Sequence, residues 1–392
     1  MSFAFTLDDV AFLVSPAGRD ALGSVTPTGD PLRDITAARA SVGERAAAVL
    51  ETVLLRARAA GRVPEGWLLT ADAAAQATAR PVAEHRAARL AGREVHDVTC
   101  SVGAELAALR PRAARLLGSD VDPVRLAMAR HNVPDVPLVR ADALAPVTRS
   151  AVLVADPGRR SSAGRRVWRP DAFTPPLDAL VDAASQGLGA GGRDLVVSTT
   201  PGLDFSRVGW AAEVELVSLD GRVREAALWS AGLAGTRRRA SVLSSGGPGW
   251  EVTDAEDDTC EVRPVGEWIV DPDGAVVRAG LVRQWGARHG LGRLDAHLAY
   301  LTGDTPPPGV RAFRVLEEGR FSEKALRQVL RRRGVGRVEI LVRGVDVDPA
   351  LLRPRLELHG PEEVTVVLAR LDAGPRAYVC SARVSEYHRE HR

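Results

Sequence analysis

The stretch that decides the fold is HDVTCSVGAELAALRPRAARLLGSDVDPVRLAMARHN, residues 96–132. An apolar approach ends at Asp97, a tight turn follows around Gly103, and a second acidic cluster stands at Asp120 and Asp122. The apolar spacing predicts strand, turn, helix, strand and helix in that order. This order builds a parallel α/β sheet, in which ligands bind beyond the carboxyl ends of the strands.

The same alternation of strands and helices continues to about residue 245 and predicts an α/β fold with a Rossmann-like, doubly wound sheet. Four aspartates stand near the ends of successive predicted strands: Asp97, Asp120, Asp142 and Asp156. Because the strand ends meet at one edge of a parallel sheet, we expect a rim of carboxylates there. Further along, Asp220 and Gly221 predict the tight turn of a β-hairpin.

The regions on either side of this sheet differ from it. The composition of the N-terminal region predicts two helices. One spans 36–61, and the other begins after Thr70 and is kinked or split at Pro81. A Gly-rich and then acidic stretch at 244–260 marks a boundary, beyond which strands and helices alternate in a compact module. We therefore expect three parts: a helical region at 1–92, a sheet domain at 93–245 and a small α/β domain at 246–392.

Composition excludes several classes of protein. The chain has 392 residues, 45% apolar and 26% charged, as in soluble globular proteins of two or three domains. The sequence shows neither a long apolar run nor a basic leader, so we expect no membrane span and no signal peptide. Cys100, Cys260 and Cys380 lie far apart, which argues against a disulfide framework and a zinc ribbon. We expect a cytoplasmic protein without a metal; the sequence leaves its oligomeric state open.

The rim of acids favours one cofactor over another. A nicotinamide dinucleotide needs a Gly-rich turn that lets the backbone approach its pyrophosphate. Here Cys100 and Ser101 stand where glycines are expected, and carboxylates suit a dianionic pyrophosphate poorly. S-adenosylmethionine has no phosphate and carries a positive sulfonium. Its ribose hydroxyls suit Asp120 and its adenine amino group suits Asp142, so the residues favour this cofactor.

Residues 93 to about 200 resemble the class I S-adenosylmethionine-dependent methyltransferases. DVTCSVGAEL is similar to the first motif of that family, GSDVDPVRLAMARHN to its second-strand acid motif, RADAL to its adenine motif and VADPGRR to its fourth, catalytic motif. With the helical leader and the stretch VWRPDAFTPP, the chain most resembles an actinobacterial family of methyltransferases with a THUMP-like C-terminal domain. The resemblance implies S-adenosylmethionine as cofactor and, because THUMP domains generally bind RNA, RNA as partner.

The resemblance also assigns roles to residues. It implies that Asp97 and Gly103 shape the methionine side of the cofactor site, Asp120 the ribose side and Asp142 the adenine side, while Asp156 faces the methyl acceptor. The implied cofactor-binding residues are Asp97, Cys100, Ser101, Gly103, Asp120, Val121, Asp142 and Ala143.

Plainer interpretations stand beside several of these roles. The turn that ends at Gly103 has the alternative of an ordinary strand-to-helix connection. Asp120 could cap the next helix, although Asp122 is better placed for that. Asp142 could be a simple loop residue. Cys100 fits a packed side chain better than a nucleophile, because the sequence places no histidine to activate it.

The fourth motif departs from the pattern of amino-group methyltransferases, in which an aromatic residue follows Asp or Asn and two prolines. Here Arg159 replaces the aromatic residue. A guanidinium can stack on a base or bind a phosphate with two hydrogen bonds, and Trp168 could supply the missing ring. The predicted catalytic residues are Asp156, Pro157 and Arg159. The predicted substrate contacts are Arg160, Arg165, Arg166, Trp168, Arg331, Arg332 and Arg333, for which a solvated arginine-rich surface is the alternative.

Three functions are compatible with these patterns. The first is an RNA methyltransferase acting on a tRNA or rRNA base, with an exocyclic guanine amine as one candidate target. The second is a small-molecule methyltransferase whose C-terminal domain dimerises, and the third is a cofactor- and RNA-binding protein without catalysis. Residues 311–392 contain 17 Arg and Lys against 12 Asp and Glu, a net charge of +5 (17 − 12), whereas the whole chain has +2. This bias modestly favours the first function.

Overall fold

The computed structural model describes residues 3–158, 169–186 and 192–382. The chain forms two compact units. The first consists of residues 1–219, 224–235 and 243–248, and the second of residues 220–223, 236–242 and 249–392. The first unit contains both the N-terminal helices and the sheet. The boundaries expected near residues 92 and 245 stay predictions.

The helices described in the first unit are α1 Leu7–Val14, α2 Pro16–Ser24, α3 Pro31–Val42, α4 Ala46–Ala59, α5 Ala71–Gln76, α6 Arg80–Arg89, α7 Ala104–Leu109, α8 Pro123–Asn132 and α9 Leu177–Ser185. As expected, Thr70 caps α5: its hydroxyl accepts a hydrogen bond of 3.2 Å from the backbone N of Ala73. Pro81 lies in the first turn of α6, where its missing N–H costs nothing, and the predicted single helix is split before it.

One predicted helix, over 36–61, is wrong. The chain forms α3 and α4 instead, with a short 3-10 turn at Gly43–Arg45 between them. Gly43 has φ of +63° and its N–H donates to the carbonyl of Arg39, which ends α3. A positive φ is open to glycine at little cost, and the Ala-rich composition on both sides hid this break.

The first sheet includes the strands β1 Glu94–Asp97, β2 Arg115–Asp120, β3 Leu138–Arg140, β4 Val152–Ala155, β5 Leu195–Thr199, β6 Glu213–Leu219 and β7 Arg222–Trp229. Their order is β3-β2-β1-β4-β5-β7-β6. The strands from β1 to β5 pair in parallel, and β7 pairs antiparallel with β5. The tight turn at Asp220 and Gly221, with φ of +51° and +72°, joins β6 to β7 as predicted.

The chain leaves β1 toward β2 and β3 on one side and returns to β4 and β5 on the other. The gap between β1 and β4 is therefore the point at which the strand order reverses, where doubly wound sheets bind their ligands. Neighbouring residues of β4 alternate between the two faces. Val152 and Val154 pack with Ala83 and Ala87 of α6, whereas Leu153 and Ala155 pack with helix α9. Burial on both faces explains the unbroken apolar run of β4.

The second unit contains β8 Arg238–Leu243, β9 Trp250–Thr253, β10 Trp268–Asp271, α10 Gly274–Ala279, α11 Val282–Arg288, β11 Gly292–Arg293, β12 Leu301–Gly303, β13 Arg311–Arg320, α12 Glu323–Arg332, β14 Val335–Arg343, α13 Pro349–Arg355, β15 Glu362–Leu371 and β16 Gly374–Ser381. A seven-stranded sheet in this unit has the order β11-β12-β10-β13-β16-β15-β14. Leu326 and Leu330 of α12 and Leu352 of α13 pack on this sheet, which gives the small α/β domain expected at the C-terminus.

A buried arginine ties α6 to the sheet. The Arg86 side chain is 3% exposed, and its Nε and Nη1 lie 2.8 Å from Glu105 Oε1 of α7 and Glu225 Oε1 of β7. Burial acts to lower the pKa of Arg86, but the two carboxylates outweigh it and hold that pKa above its usual value. The guanidinium therefore stays charged and pairs with two carboxylates that have little access to water.

Arg86→Ala should lower the free energy of unfolding by about 3–5 kcal/mol, because it leaves two buried carboxylates without a counter-ion. Arg80→Ala is the matched control on the same helix. Arg80 pairs with Glu84 at 2.7 Å in an exposed position, so its loss should change stability little. Urea unfolding followed by circular dichroism measures both. Equal effects of the two variants would contradict the role of Arg86.

Candidate active site

The four predicted aspartates lie at the same edge of the first sheet. Asp97 and Asp120 are the last residues of β1 and β2, Asp156 follows β4 directly, and Asp142 follows β3 after one residue. The parallel registers place Asp97 beside both Gly118 of β2 and Val154 of β4. The topology thus brings these side chains to the carboxyl edge, on both sides of the point where the strand order reverses.

The turn after β1 has a backbone that demands small residues. Ser101 has φ of +48° and Gly103 has φ of +96°. A Cβ atom at Gly103 would lie 2.9 Å from Val133 Cγ2, so a larger residue meets both strain and a clash. The backbone N–H of Cys100 donates to the carbonyl of Ser119 at 3.0 Å, and the Cys100 side chain is buried. Burial raises the pKa of its thiol, which fits packing rather than nucleophilic attack.

Asp120 holds this turn in place. It is 7% exposed, and its Oδ2 accepts from the Ser101 backbone N at 3.0 Å while Oδ1 accepts from the Asp122 backbone N at 2.9 Å. Each carboxylate oxygen has a second lone pair, so the group can still accept hydroxyl hydrogens from a ribose. Asp122, as expected, is the helix cap, since its Oδ1 accepts from the backbone N of Val124 and Arg125.

Asp97 is almost fully buried, at 2% exposure, and its Oδ1 accepts from the Thr99 backbone N at 3.1 Å. Burial raises the pKa of Asp97 well above its usual value, and the nearby carboxylates of Glu105, Asp120 and Asp156 raise it further. Such a crowd of carboxylates disfavours an anionic ligand. It fits a cation, which would relieve the repulsion.

The expected adenine side offers an apolar surface. Val121, directly after Asp120, is 57% exposed and is therefore available for contact. Ala143 is buried, and Asp142 is exposed with its Oδ1 accepting from the Leu144 backbone N at 2.9 Å. The Asp142 bond is the local turn that a plain loop residue would make, so its role toward adenine stays a prediction.

The expected acceptor side begins at Asp156, which is exposed, and Pro157, which is buried. Gly158 forms a two-bond bridge with Thr174, at 2.8 and 3.0 Å. The other predicted catalytic and acceptor-side residues of this loop lie outside the described residues: Arg159, Arg160, Arg165, Arg166 and Trp168. Their roles remain predictions.

Two side chains that support the site were not predicted from the sequence. Besides Arg86, Asn132 at the end of α8 accepts from the Leu68 backbone N at 2.8 Å and donates to the carbonyls of Leu68 and Val102, both at 2.9 Å. Asn132 therefore joins the N-terminal region to the turn at residues 98–103 after β1, which we call the cofactor turn. Its position at the end of a helix resembled an ordinary stop signal, and the sequence does not show which distant backbone it contacts.

A histidine beside the rim is not a candidate base. His96 of β1 is fully buried between Ser119 Oγ, at 2.9 Å, and Thr148 Oγ1, at 3.0 Å. Burial, and secondly the charge of Arg193, lower the pKa of His96 to about 4. The ring is neutral near pH 7 and acts as a hydrogen-bonded part of the core. Among the described residues, no cluster of histidine, cysteine or acidic side chains could hold a metal.

The predicted arginine surface of the C-terminal domain is largely paired. Arg332 Nη2 and Arg333 Nε lie 2.6 and 3.2 Å from the two carboxylate oxygens of Glu317, and Arg337 lies 3.3 Å from Glu363. Arg331 is exposed. Because an anion must compete with Glu317, Arg332 and Arg333 are less available to a phosphate than Arg331, and the RNA contacts of all three stay predictions.

The chain is similar to known methyltransferases. Residues 310–382 match the family described as THUMP domain-like, and residues 6–59 match a domain of unknown function. Two proteins of Mycobacterium tuberculosis, from strains H37Rv and CDC 1551 / Oshkosh, are 54% identical over 363 residues, covering 87% of this chain and 99% of each relative. Both are described as uncharacterized S-adenosylmethionine-dependent methyltransferases.

A solved structure shares the fold. The crystal structure of a presumed methyltransferase from Porphyromonas gingivalis W83 matches with a TM-score of 0.71 and 17% identity, covering 97% of this chain and all of the other. Within the described part of the chain, no helix is long and apolar enough to cross a membrane.

Asp120→Ala should weaken S-adenosylmethionine binding about tenfold or more, because charge-assisted hydrogen bonds to a ribose diol contribute about 1.5–3 kcal/mol. Asp135→Ala is the control: Asp135 is exposed, pairs with Arg110 at 2.9 Å and precedes β3 at the opposite end of the strand. Isothermal titration calorimetry measures both affinities. An unchanged affinity of Asp120→Ala would remove Asp120 from the site.

Proposed function

We propose that this chain, which belongs to the family of S-adenosylmethionine-dependent methyltransferases, transfers the methyl group to RNA. The observation that carries the proposal is the match of residues 310–382 to the THUMP domain-like family, joined in one chain to a methyltransferase fold. THUMP domains generally bind RNA. A tRNA or rRNA base is the proposed target, with an exocyclic guanine amine as the first candidate.

The residues of the first unit fit the cofactor. Asp120 would hold the ribose, the exposed Val121 would pack on the adenine, and the carboxylates around Asp97 suit a positive sulfonium. When bound, S-adenosylmethionine supplies the methyl group. Asp156, at the switch point of the sheet, would accept hydrogen bonds from an acceptor amine and orient its lone pair toward that methyl group.

The proposed RNA-binding surface lies on helices α12 and α13 of the second unit. Lys324 and Arg331 lie seven residues apart on α12 and so share a face, and Arg353 lies on α13. All three are exposed and, within the residues that the structure describes, form no ion pair within 4.0 Å. An ion pair between Arg355 and Glu323, at 3.1 Å, joins the two helices. This set keeps Arg331 from the sequence-based prediction and replaces its paired neighbours.

The direct test is methyl transfer from labelled S-adenosylmethionine to total RNA from a strain that lacks the gene. We expect label in RNA from that strain and little in RNA from the parent strain, whose sites are already modified. Asp156→Ala should keep cofactor affinity and transfer no methyl group. Mass spectrometry of digested RNA would identify the nucleoside. Label that enters a small-molecule extract but never RNA would overturn the proposal in favour of a small-molecule acceptor.

The salt dependence of RNA binding tests the proposed surface. Each phosphate neutralised on a single strand contributes about −0.7 to the slope of log affinity against log salt. Replacing Lys324, Arg331 and Arg353 with Ala should therefore reduce the slope by about 2 in the full-length protein. The matched control replaces the paired arginines Arg332, Arg333 and Arg337 and should change the slope little. Filter binding with tRNA measures both; a larger effect of the control set would restore the original prediction.

A further inference from the structure

A hydroxyl group links the cofactor turn to the acceptor side of the site. The Val98 backbone N donates to the carbonyl of Val154 at 2.9 Å, which continues the ladder between β1 and β4. Two residues beyond Val154, the backbone N of Asp156 donates not to a backbone carbonyl but to the Thr99 side-chain oxygen, at 2.8 Å. The Thr99 side chain thus accepts the next hydrogen bond at the point where β1 and β4 separate.

Thr99 is held from its other side as well. Its own backbone N donates to Asp97 Oδ1 at 3.1 Å, and Asp97 is buried at the end of β1. The buried carboxylate fixes the Thr99 backbone, and the Thr99 hydroxyl fixes the Asp156 backbone. A continuous path of hydrogen bonds therefore runs from the first motif to the fourth across the switch point of the sheet.

We propose that Thr99 is a positioning residue for methyl transfer, which holds the Asp156–Pro157 backbone at the distance that the acceptor requires. The proposal rests on the acceptor role proposed above for Asp156. The Asp156 side chain is exposed, and the bond to Thr99 holds its backbone in place. Displacement at a methyl carbon needs the reacting atoms in line and close together, and a misplacement of about 1 Å can reduce the rate about a hundredfold.

The variant that tests this is Thr99→Val, which keeps the shape of the side chain and removes the hydroxyl. We expect the affinity for S-adenosylmethionine and its KM to stay within about twofold, because the hydroxyl that is removed bonds to the Asp156 backbone. We expect kcat for transfer to RNA from the strain lacking the gene to fall about tenfold to a hundredfold. Thr99→Ser restores the hydroxyl and should restore most of the kcat.

Thr52→Val is the matched control. Thr52 is buried, and its hydroxyl donates to the Ala48 carbonyl within α4 at 2.7 Å. This change removes a hydroxyl of the same kind from a helix of the N-terminal region and should leave kcat unchanged. If Thr52→Val and Thr99→Val reduce kcat equally, or if Thr99→Ser does not rescue it, the positioning role is wrong.

A measurement that needs no acceptor separates this inference from the RNA proposal. The Asp156 amide should be protected from hydrogen exchange in the wild-type protein with S-adenosylhomocysteine bound, although its side chain is exposed. Thr99→Val should speed that exchange about tenfold or more, and Thr99→Ser should not. Rapid exchange of this amide in the wild-type protein would overturn the proposal without any variant. Failure of transfer to RNA with the expected exchange pattern would refute only the RNA acceptor.

Discussion

The rest of the first unit depends on one buried charge, the guanidinium of Arg86. It stands between Glu105, on the helix that follows the cofactor turn, and Glu225, on the strand that pairs with β5. A lone charge or a lone carboxylate at such a depth would be costly, so the three groups are stable only together. Their contact fixes the distance between α6, α7 and the sheet. The turn that must approach the cofactor is consequently held from behind.

The same electrostatic constraint explains the chemistry of the rim. Asp97, Glu105 and Asp120 repel one another when all three are ionised. Of the three, Arg86 forms an ion pair with Glu105. In the proposed function, a positively charged cofactor would complete the neutralisation of this rim. Such a cofactor would need no glycine-rich phosphate cradle. Neutral His96, beneath the rim, adds hydrogen bonds to the core without adding charge.

Local patterns in the sequence were sufficient for much of this. The apolar run of β4, the cap at Asp122, the split at Pro81 and the placement of acids at strand ends all depend on neighbours within a few residues. Partners far along the chain could not be predicted. Arg86 bonds to residues 19 and 139 positions away, and nothing near it in the sequence marks it as buried. The arginines at the end of α12 seemed available for phosphate because Glu317 lies on strand β13, 15 residues before Arg332.

The bond between Asn132 and Leu68 has a consequence for how the chain folds as it is synthesised. The N-terminal helices leave the ribosome before α8, yet their apolar residues share one core with Leu106, Met128 and Val133. The Leu68 backbone that follows them is hydrogen-bonded to Asn132, 64 positions later. Their surface cannot be covered until α8 has emerged. At a synthesis rate of about 5–20 residues per second, the apolar residues of the N-terminal helices stay exposed for several seconds. During that interval these helices are accessible to chaperones and proteases. Because the core is shared, neither part can bury its apolar residues without the other.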